Sequence, residues 1–393
     1  MKITLYLTVA GCLVLPAAAA AQDTRAEEIA ARQEAKAAVL KPYQPTTFER
    51  LFGGLEETFI SPPSGFYPAF GSIYPGGGLR MGVGWRRFYA RKAVFDVHGL
   101  YSVKNYKLVE VGTRTPWNGL GRFEYGLKAG WLDATQVGFW GLGMDEAAQR
   151  GNAHLSKGYA AFSAAARPNG WTQLSGEVGF DDYKTEDSEQ REPPISAIYD
   201  AATAPGLGAS PSFVRVQGTA AIDWRTSPSY STRGGYYGVT LANHSDDTYG
   251  FNRLDAELIQ HVPLWHNNWV ISVRGRVQTI LDDDDAVPYF LLPSLGSGTT
   301  IRGYSSGRFR DRHSILTSAE FRWIPNRLGL DMAIFYDAGK VTSARGDLDF
   351  TDLEDSWGVG ARFHVPTSTI LRIEAARPRS GNWRLIFSTG AAF

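Results

Sequence analysis

Apolar and polar residues alternate through long stretches of this sequence, and a period of two is the signature of β-strands. Residues 122–131 show it well, because Phe, Tyr, Leu, Ala and Trp occupy odd positions while Arg, Glu and Lys occupy even ones. Residues 269–281, 357–365 and 383–393 repeat the pattern. Most polar faces carry charged side chains, and aromatic residues stand at the ends of apolar faces. An apolar outer band opposite a polar lumen predicts a transmembrane barrel.

A strand edge left open in hydrocarbon would be unsatisfied, so a membrane sheet must close. We therefore predict an all-β chain that forms a transmembrane antiparallel β-barrel of about sixteen strands. The predicted strands are 66–74, 79–88, 93–102, 105–115, 121–131, 155–166, 172–184, 213–225, 234–244, 251–264, 268–281, 312–324, 329–340, 356–364, 369–378 and 383–393. Every second connection is short, and the long ones are 132–154, 185–212, 282–311 and 341–355. Short periplasmic turns and long external loops are typical of outer-membrane barrels.

The composition removes several other classes. The chain has 40 basic and 40 acidic residues, and this balance argues against a nucleic-acid partner. After residue 21, no segment approaches the roughly 18 apolar residues of a membrane-spanning helix. The single cysteine, Cys12, excludes disulfides and thiolate metal clusters.

The first residues have the form of an export signal. Lys2 precedes an apolar stretch at 3–15, and small residues at 19–21 suit cleavage before Gln22, so we predict a signal peptide at 1–21. Residues 9–12 also resemble a lipobox, which would make Cys12 a lipid anchor. Residues 22–65 predict a short periplasmic arm that is either solvated or partly plugs a pore, and 66–393 is the predicted outer-membrane barrel.

Motifs of bond-making chemistry are absent from the sequence: there is no nucleophile elbow, no zinc-protease helix and no phosphate loop. We therefore expect no enzyme, no cofactor and no metal site. Two groups of residues leave a weaker possibility of a cation site or an enzyme site open. The run Asp282–Asp285 either binds a divalent cation at the cell surface or is a solvated loop tip. Asp311 and His313 either serve a barrel enzyme or decorate the rim.

The segment Leu292–Tyr304, LPSLGSGTTIRGY, carries the most informative motif. Its Ile-Arg-Gly-Tyr resembles the (V/I)RG(F/Y) motif of the bacterial surface antigen family, which includes BamA-type, TamA-type and Sam-type barrels. Phe335–Gly339 is similar to that family's F-x-D-x-G strand, and Glu320 to the acidic position on the preceding strand. Phe139–Gly143 resembles an F-(Y/W)-G-L-G loop of short members. The resemblance also covers the C-terminal strand, where Trp383, Phe387 and Phe393 would serve barrel targeting.

The resemblance implies that an external loop folds back into the lumen, where Arg302 pairs with an acidic residue. Ile301 flanks this arginine, Gly303 would permit close approach, and Tyr304 would pack beside it. Alternation independently places Asp337 on one face with Phe335 and Gly339, and it places Glu320 on the polar face of its own strand. Both carboxylates should then point into the lumen and hold the guanidinium. The alternative is an ordinary lumen salt bridge that stiffens the barrel.

The first predicted strand, 66–74, is weak because Pro68 cannot donate a ladder hydrogen bond. In the family that the motifs resemble, the first and last strands meet at a seam that opens sideways. We hypothesise a labile seam here, with a merely frayed first strand as the alternative. Cysteines that crosslink the seam should impair function.

Only residues 22–65 precede the barrel, too few for the periplasmic POTRA domains of BamA-type members. The resemblance therefore implies a short, POTRA-less outer-membrane protein of a Gram-negative cell, acting in insertion or translocation of proteins or lipids. Expected partners are outer-membrane lipids including lipopolysaccharide, protein or lipid clients, and the barrel assembly machinery. A passive channel and a structural surface antigen are the alternatives.

Overall fold

The structure, a computed structural model, describes residues 64–90, 93–116, 122–264, 268–282, 287–325, 329–365 and 368–393. Sixteen strands form one antiparallel sheet in which each strand pairs with the next along the chain. They are β1 (Gly65–Ala69), β2 (Arg80–Tyr89), β3 (Ala93–Ser102), β4 (Lys107–Arg114), β5 (Phe123–Phe139), β6 (Gly151–Ala166), β7 (Thr172–Asp187), β8 (Ser212–Asp223), β9 (Gly234–Ser245), β10 (Phe251–Pro263), β11 (Trp269–Ile280), β14 (His313–Trp323), β15 (Leu330–Thr342), β16 (Glu354–Val365), β17 (Ser368–Pro378) and β18 (Arg384–Ser388). Two short strands, β12 (Ser294–Leu295) and β13 (Phe309–Arg310), pair with each other between β11 and β14. Each predicted strand therefore has its counterpart, and the all-β barrel prediction is confirmed.

The burial of side chains is inverted relative to a water-soluble fold. Large apolar residues such as Leu127, Val178 and Ile334 are exposed, whereas the charged Arg372 and Glu374 are fully buried. Apolar side chains on the outer face are stable in contact with lipid. Charged side chains are costly there and are found in the lumen, where they pair with one another. The alternation read from the sequence thus resolves into an apolar outer face and a charged inner one.

The connections sort into two ends of the barrel. Short turns join β2 to β3, β4 to β5, β6 to β7, β8 to β9, β10 to β11, β14 to β15 and β16 to β17, as predicted. The longer loops gather at the opposite end, where they pack a hydrophobic core that includes Phe139, Phe213 and Tyr289. We refer to these as the short-turn end and the long-loop end.

Strands β5 and β6 run further than predicted, because residues 132–139 and 151–154 were expected to be loop. The register shifts between Ala134 and Val137, which interrupts the period of two. Ala134, Val137 and Phe139 are all buried, since the long loops cover this part of the sheet. With both faces covered, the strand has no alternating pattern to detect.

The last predicted strand, 383–393, was too long. Strand β18 ends at Ser388, and Gly390 has a φ of +79°, a left-handed conformation that turns the chain out of the sheet. Phe393 therefore does not share the outer face with Phe387. Its ring instead stacks parallel to His261 of β10, with the ring centroids 6.3 Å apart. The first strand is also short, with only the five residues of β1, and Gly65 belongs to it rather than to the arm.

The predicted signal peptide and nearly all of the predicted arm, through residue 63, lie outside the described residues. So do Asp283–Asp285 of the acidic run. Among the residues that the structure describes, no helix is long and apolar enough to cross a membrane.

Candidate functional site

The segment with the Ile-Arg-Gly-Tyr motif, residues 296–308 between β12 and β13, is the inserted loop. The pairing of β12 with β13 closes its base, and the Gly307 N–H donates to the Gly296 carbonyl at 2.9 Å. Below this neck, Ile301 is fully buried with Leu316 of β14 and Val341 of β15. The loop thus leaves the long-loop end and runs along the inner wall of the barrel.

Arg302 lies at the centre of the site with 2% of its side chain exposed. Its Nε donates to Asp337 Oδ2 at 2.7 Å, and its Nη2 donates to Asp337 Oδ1 at 2.9 Å. The backbone N–H of Arg302 donates to the same Oδ2 at 3.2 Å. This is the paired fork geometry that the planar guanidinium favours with a carboxylate. The predicted pair of Arg302 and Asp337 is therefore present.

Two further carboxylates approach the remaining nitrogen of this guanidinium. Arg302 Nη1 donates to Glu374 Oε1 at 3.1 Å and to Glu320 Oε2 at 3.3 Å. Three guanidinium groups and three carboxylates meet at the site, namely Arg302, Arg362, Arg372, Asp337, Glu320 and Glu374. Arg322 Nε lies 3.7 Å from Glu320 Oε1, and Arg322 Nη1 lies 3.9 Å from Asp331 Oδ2, so one more charge of each sign adjoins these six groups. The formal charges therefore balance, which a buried ionic cluster requires because each unpaired charge is costly away from water.

Sequence reasoning placed Asp337 and Glu320 here but missed three other members. Arg362 binds Glu320 through two nitrogens, and Arg372 Nη1 donates to Glu374 Oε2 at 3.0 Å. Glu374 and Arg372 alternate with apolar residues on β17, which is the signal that would have placed them in the lumen. Their height along the barrel depends on strand register, which the sequence does not show.

Phe335 completes the contact surface of Arg302. The guanidinium carbon Cζ lies 3.5 Å from the centre of the Phe335 ring, close enough for a cation–π interaction. Burial acts to lower the pKa of Arg302, but the charge and hydrogen bonds of Asp337, with the charges of Glu374 and Glu320, outweigh it and raise the pKa. The guanidinium is therefore held in its charged form.

The glycines allow close packing around the loop. Gly303 has a φ of +92°, and a Cβ there would lie 3.2 Å from Ala376 Cβ and 3.2 Å from Pro378 Cδ. A Cβ at Gly339 would lie 2.5 Å from the Ile315 carbonyl oxygen. Side chains at either position would therefore push the inserted loop or β15 away from its neighbours.

Tyr304 lies outside the charged cluster and connects the inserted loop to the long-loop end of the barrel. Its hydroxyl donates to Glu354 Oε2 at 2.7 Å, at the start of β16. Its ring meets Phe309 edge to face, with the centroids 5.0 Å apart. The predicted flanking residues Ile301, Gly303 and Tyr304 therefore all contact the barrel wall or the base of the loop.

The Phe139–Gly143 motif ends β5 and begins a second loop, which contacts the inserted loop and the strands beside it. The Gly143 N–H donates to the Arg310 carbonyl at 2.8 Å, and Met144 Sδ accepts from the Val341 N–H at 3.2 Å. Arg308 Nη2 donates to the Glu146 carbonyl at 2.7 Å. Sequence comparison noted the motif, but only the structure shows its contact with the inserted loop.

Other predicted residues lie apart from the cluster. His313 Nδ1 is 2.6 Å from Thr279 Oγ1, while burial raises the pKa of Asp311. Asp282 accepts from the side chain of Asn252 at 3.2 Å. Trp383 precedes β18 and packs edge to face on Trp357 at 4.9 Å. Among the described residues, no group of three or more histidines and carboxylates is arranged to hold a metal ion.

Comparisons with known proteins agree with this fold. An Omp85 superfamily domain matches residues 142–390. BamA from Haemophilus ducreyi lacking POTRA domains 1-3 has a similar structure, with a TM-score of 0.61 at 14% identity over 83% of this chain and 68% of that one. The structure of CdiB from Escherichia coli is also similar, with a TM-score of 0.54 at 12% identity over 86% of this chain and 68% of that one.

CdiB from Acinetobacter baumannii gives a TM-score of 0.53 at 11% identity, over 78% of this chain and 55% of that one. No curated protein matches the sequence. At these identities the structural likeness shows the shared fold, whereas the domain match covers more than half of the chain. This chain belongs to the Omp85 superfamily.

Proposed function

We propose that this chain inserts or translocates proteins, or lipids, at the outer membrane of a Gram-negative cell. Its place in the Omp85 superfamily and its likeness to BamA and CdiB support this proposal. The observation that carries it is the insertion of Arg302 between carboxylates of β14, β15 and β17. A loop that is fixed inside the lumen fills the space that a simple pore would leave open.

In this proposal, Arg302 with Asp337, Glu320 and Glu374 locks the inserted loop to the wall beside the last strands. Buried charge-assisted hydrogen bonds have strict geometry, so the lock has one well-defined closed position. Phe335 and Gly339 shape the wall against which it rests. An ordinary stiffening salt bridge would need only two partners, whereas this arginine contacts three carboxylates from three strands.

The same loop bridges the two ends of the sheet, which supports a working seam. On one side Arg384 Nη1 of β18 donates to Ser305 Oγ at 3.1 Å. On the other, a Cβ at Gly76, between β1 and β2, would lie 3.3 Å from Ser306 Cβ. Among the described residues, backbone pairing ends at β1 on one side and β18 on the other. We propose that this seam opens sideways and that the locked loop steadies it.

The proposed partners follow from the location. The apolar outer face would contact outer-membrane lipids including lipopolysaccharide, clients would be proteins or lipids, and the barrel assembly machinery would insert the chain itself. We propose no bond-making chemistry and no cofactor, because the charged groups around Arg302 are paired with one another.

A depletion experiment tests this function. We would deplete the protein, complement with wild type, Arg302→Ala or Arg379→Ala, and quantify outer-membrane proteins and lipids. Arg379 forms an exposed ion pair with Asp355 and is the matched control. A defined set of proteins or lipids should disappear on depletion, and only wild type and the Arg379 variant should restore it. An unchanged outer membrane after depletion would contradict the proposal.

One observation favours a second candidate, a passive channel. A cavity of about 340 Å³ lies on the inner wall away from the inserted loop, lined by polar side chains that include Lys128, Lys157 and Arg215. A large, steady, solute-selective current across planar bilayers would support the channel. A structural surface antigen would give neither that current nor a change on depletion.

A further inference from the structure

The turn between β8 and β9 does not stay beside its own strands. It comprises residues 224–233, longer than any other described connection at the short-turn end. The Thr369 N–H of β17 donates to the Ser229 carbonyl at 3.2 Å, and Ser229 forms an isolated parallel bridge with Ser368. Five strands, β10, β11, β14, β15 and β16, separate β9 from β17 in the sheet. The turn therefore reaches past them, across part of the barrel opening.

Tyr230 is the anchor of this turn. Its hydroxyl donates to Asp331 Oδ2 of β15 at 2.9 Å, and its ring stacks on His364 of β16, with the centroids 3.9 Å apart and the planes 10° from parallel. The guanidinium of Arg322, on β14, lies 5.5 Å from the ring centre and also donates to the Ser231 carbonyl. One side chain of the turn thus contacts three strands on the inner wall.

The chain end approaches the same place from the other side. The Gly390 N–H donates to the Thr369 carbonyl at 3.1 Å, and Ala392 is buried. The space left between Tyr230, Arg322 and Phe393 is a cavity of only about 10 Å³. A cavity needs roughly 10–15 Å³ to hold one water molecule, so the space between the turn and residues 391–393 has room for about one water.

We propose that the β8–β9 turn is a gate that closes the short-turn mouth of the barrel, with Tyr230 as its latch. In the orientation proposed above, this mouth faces the periplasm. Entry from the periplasm beside β14 to β17 then requires Tyr230 to leave the slot formed by Arg322, Asp331 and His364. The gate is a property of the barrel itself and goes beyond the proposed function, since it restricts small ions as well as clients.

Currents across planar bilayers test the gate with a matched pair of variants. Tyr230→Phe removes the hydrogen bond to Asp331 and keeps the ring in place. Tyr237→Phe, on β9 near the same end, removes a hydrogen bond to Gln260 without touching the slot. Tyr230→Phe should raise the open probability about tenfold, because the closed state loses its hydrogen bond to a charged group. Tyr237→Phe should match wild type.

A reversible crosslink gives the opposite perturbation. The sequence has a single cysteine, Cys12, so the pair Ser229→Cys and Ser368→Cys joins the turn to β17 without competing thiols in the barrel. The oxidised double variant should stay closed. After a reductant is added, its ionic current should match that of the Ser229→Cys single variant, which is the control. Heat-modifiable mobility on gels would confirm that each variant is a folded barrel.

Equal open probability for Tyr230→Phe, Tyr237→Phe and wild type would overturn the gate. So would an oxidised crosslinked protein that conducts like its reduced form. Because these readouts are ionic currents, they fail independently of the proposed function. If the variants leave the current unchanged while depletion alters the outer membrane, the gate is contradicted and the proposed assembly role stands.

Discussion

Asp337 accepts three hydrogen bonds from one residue, Arg302: one from the backbone N–H and two from the guanidinium. The backbone bond fixes the path of the inserted loop, and the side-chain pair fixes the position of the charge. A flexible ammonium group reproduces neither the fork nor the simultaneous contact with Glu320 and Glu374. This relationship makes the site sensitive to changes that conserve charge.

We predict that Arg302→Ala lowers the free energy of unfolding by about 3–5 kcal/mol, because removing one member of a buried ionic cluster leaves an unpaired charge. The free energy of unfolding of Arg302→Lys should lie between those of Arg302→Ala and wild type. Urea titration followed by the mobility of the folded barrel would measure both. The exposed Arg379→Ala is the control and should leave the transition unchanged. If Arg302→Lys equals wild type, bidentate geometry has no role in holding the loop.

We predict that Gly303→Ala displaces the inserted loop although it adds only one methyl group. The φ of +92° alone costs an L-residue about 1–2 kcal/mol. The added Cβ would also crowd Ala376 and Pro378. Gly346→Ala, where a Cβ meets nothing within 4 Å, is the control. Limited proteolysis should cut the loop of the Gly303 variant faster and leave the control unchanged, and equal cutting rates would contradict the prediction.

A third prediction concerns the contact of the second loop with the inserted one. Met144 packs against the cluster around Ile301 and accepts the Val341 N–H. Met144→Ala should loosen the inserted loop, while Met144→Leu should keep most of the packing and lose only the weak sulfur acceptor. Hydrogen exchange of residues 296–308 would measure this, with protection falling in the order wild type, leucine, alanine. Equal protection in all three would mean that the charged cluster alone holds the loop.

The fold was predictable because one physical pattern recurs in every strand. A lipid-facing side chain and a lumen-facing one must alternate, so residues such as Ile334 and Asp337 report their own faces. The pattern fails where the bilayer no longer acts. Val137 and Phe139 lie in the hydrophobic core packed by the long loops, and both are buried on a strand that the sequence assigned to a loop.

The site was predictable only in part, for a different reason. Asp337 and Glu320 stand in strands whose faces can be read locally, but Glu374 joins them only through the pairing of β16 with β17. That pairing contains a register shift between Phe363 and His364, which no local pattern reveals. Tyr230 was missed for a similar reason, because it lies in a turn without periodicity and its partners are about a hundred residues away along the chain.

The two aromatic residues of the chain end should behave differently when removed. Phe387 is 63% exposed on the outer face of β18, whereas Phe393 stacks on His261 inside the barrel. If the C-terminal aromatic residues serve barrel targeting, both Phe387→Ala and Phe393→Ala should lower the amount inserted in cells. Only Phe393→Ala should also destabilise the purified barrel, by about 0.5–1.5 kcal/mol for the lost ring contact. Pulse-chase fractionation and urea titration would separate the two effects, and normal insertion of both variants would contradict a targeting role.

The lock and the gate should be coupled, because a chain of charged groups joins them. Glu320 lies 3.3 Å from Arg302 Nη1, and Arg322 Nε lies 3.7 Å from Glu320 Oε1. Arg322 in turn contacts Tyr230 and the turn carbonyl of Ser231.

Removing Arg302 takes one cationic partner away from Glu320. The carboxylate should then attract Arg322 more strongly and draw it away from the Tyr230 ring. We therefore predict that Arg302→Ala raises the open probability of the gate, and that combining it with Tyr230→Phe gives less than the product of the two single effects. A double-mutant cycle on the ionic current measures this, since residues in one network are not additive. Tyr237→Phe in place of Tyr230→Phe should give simple additivity. If the Tyr230 cycle is additive as well, the lock and the gate work independently, and the shared carboxylate serves stability alone.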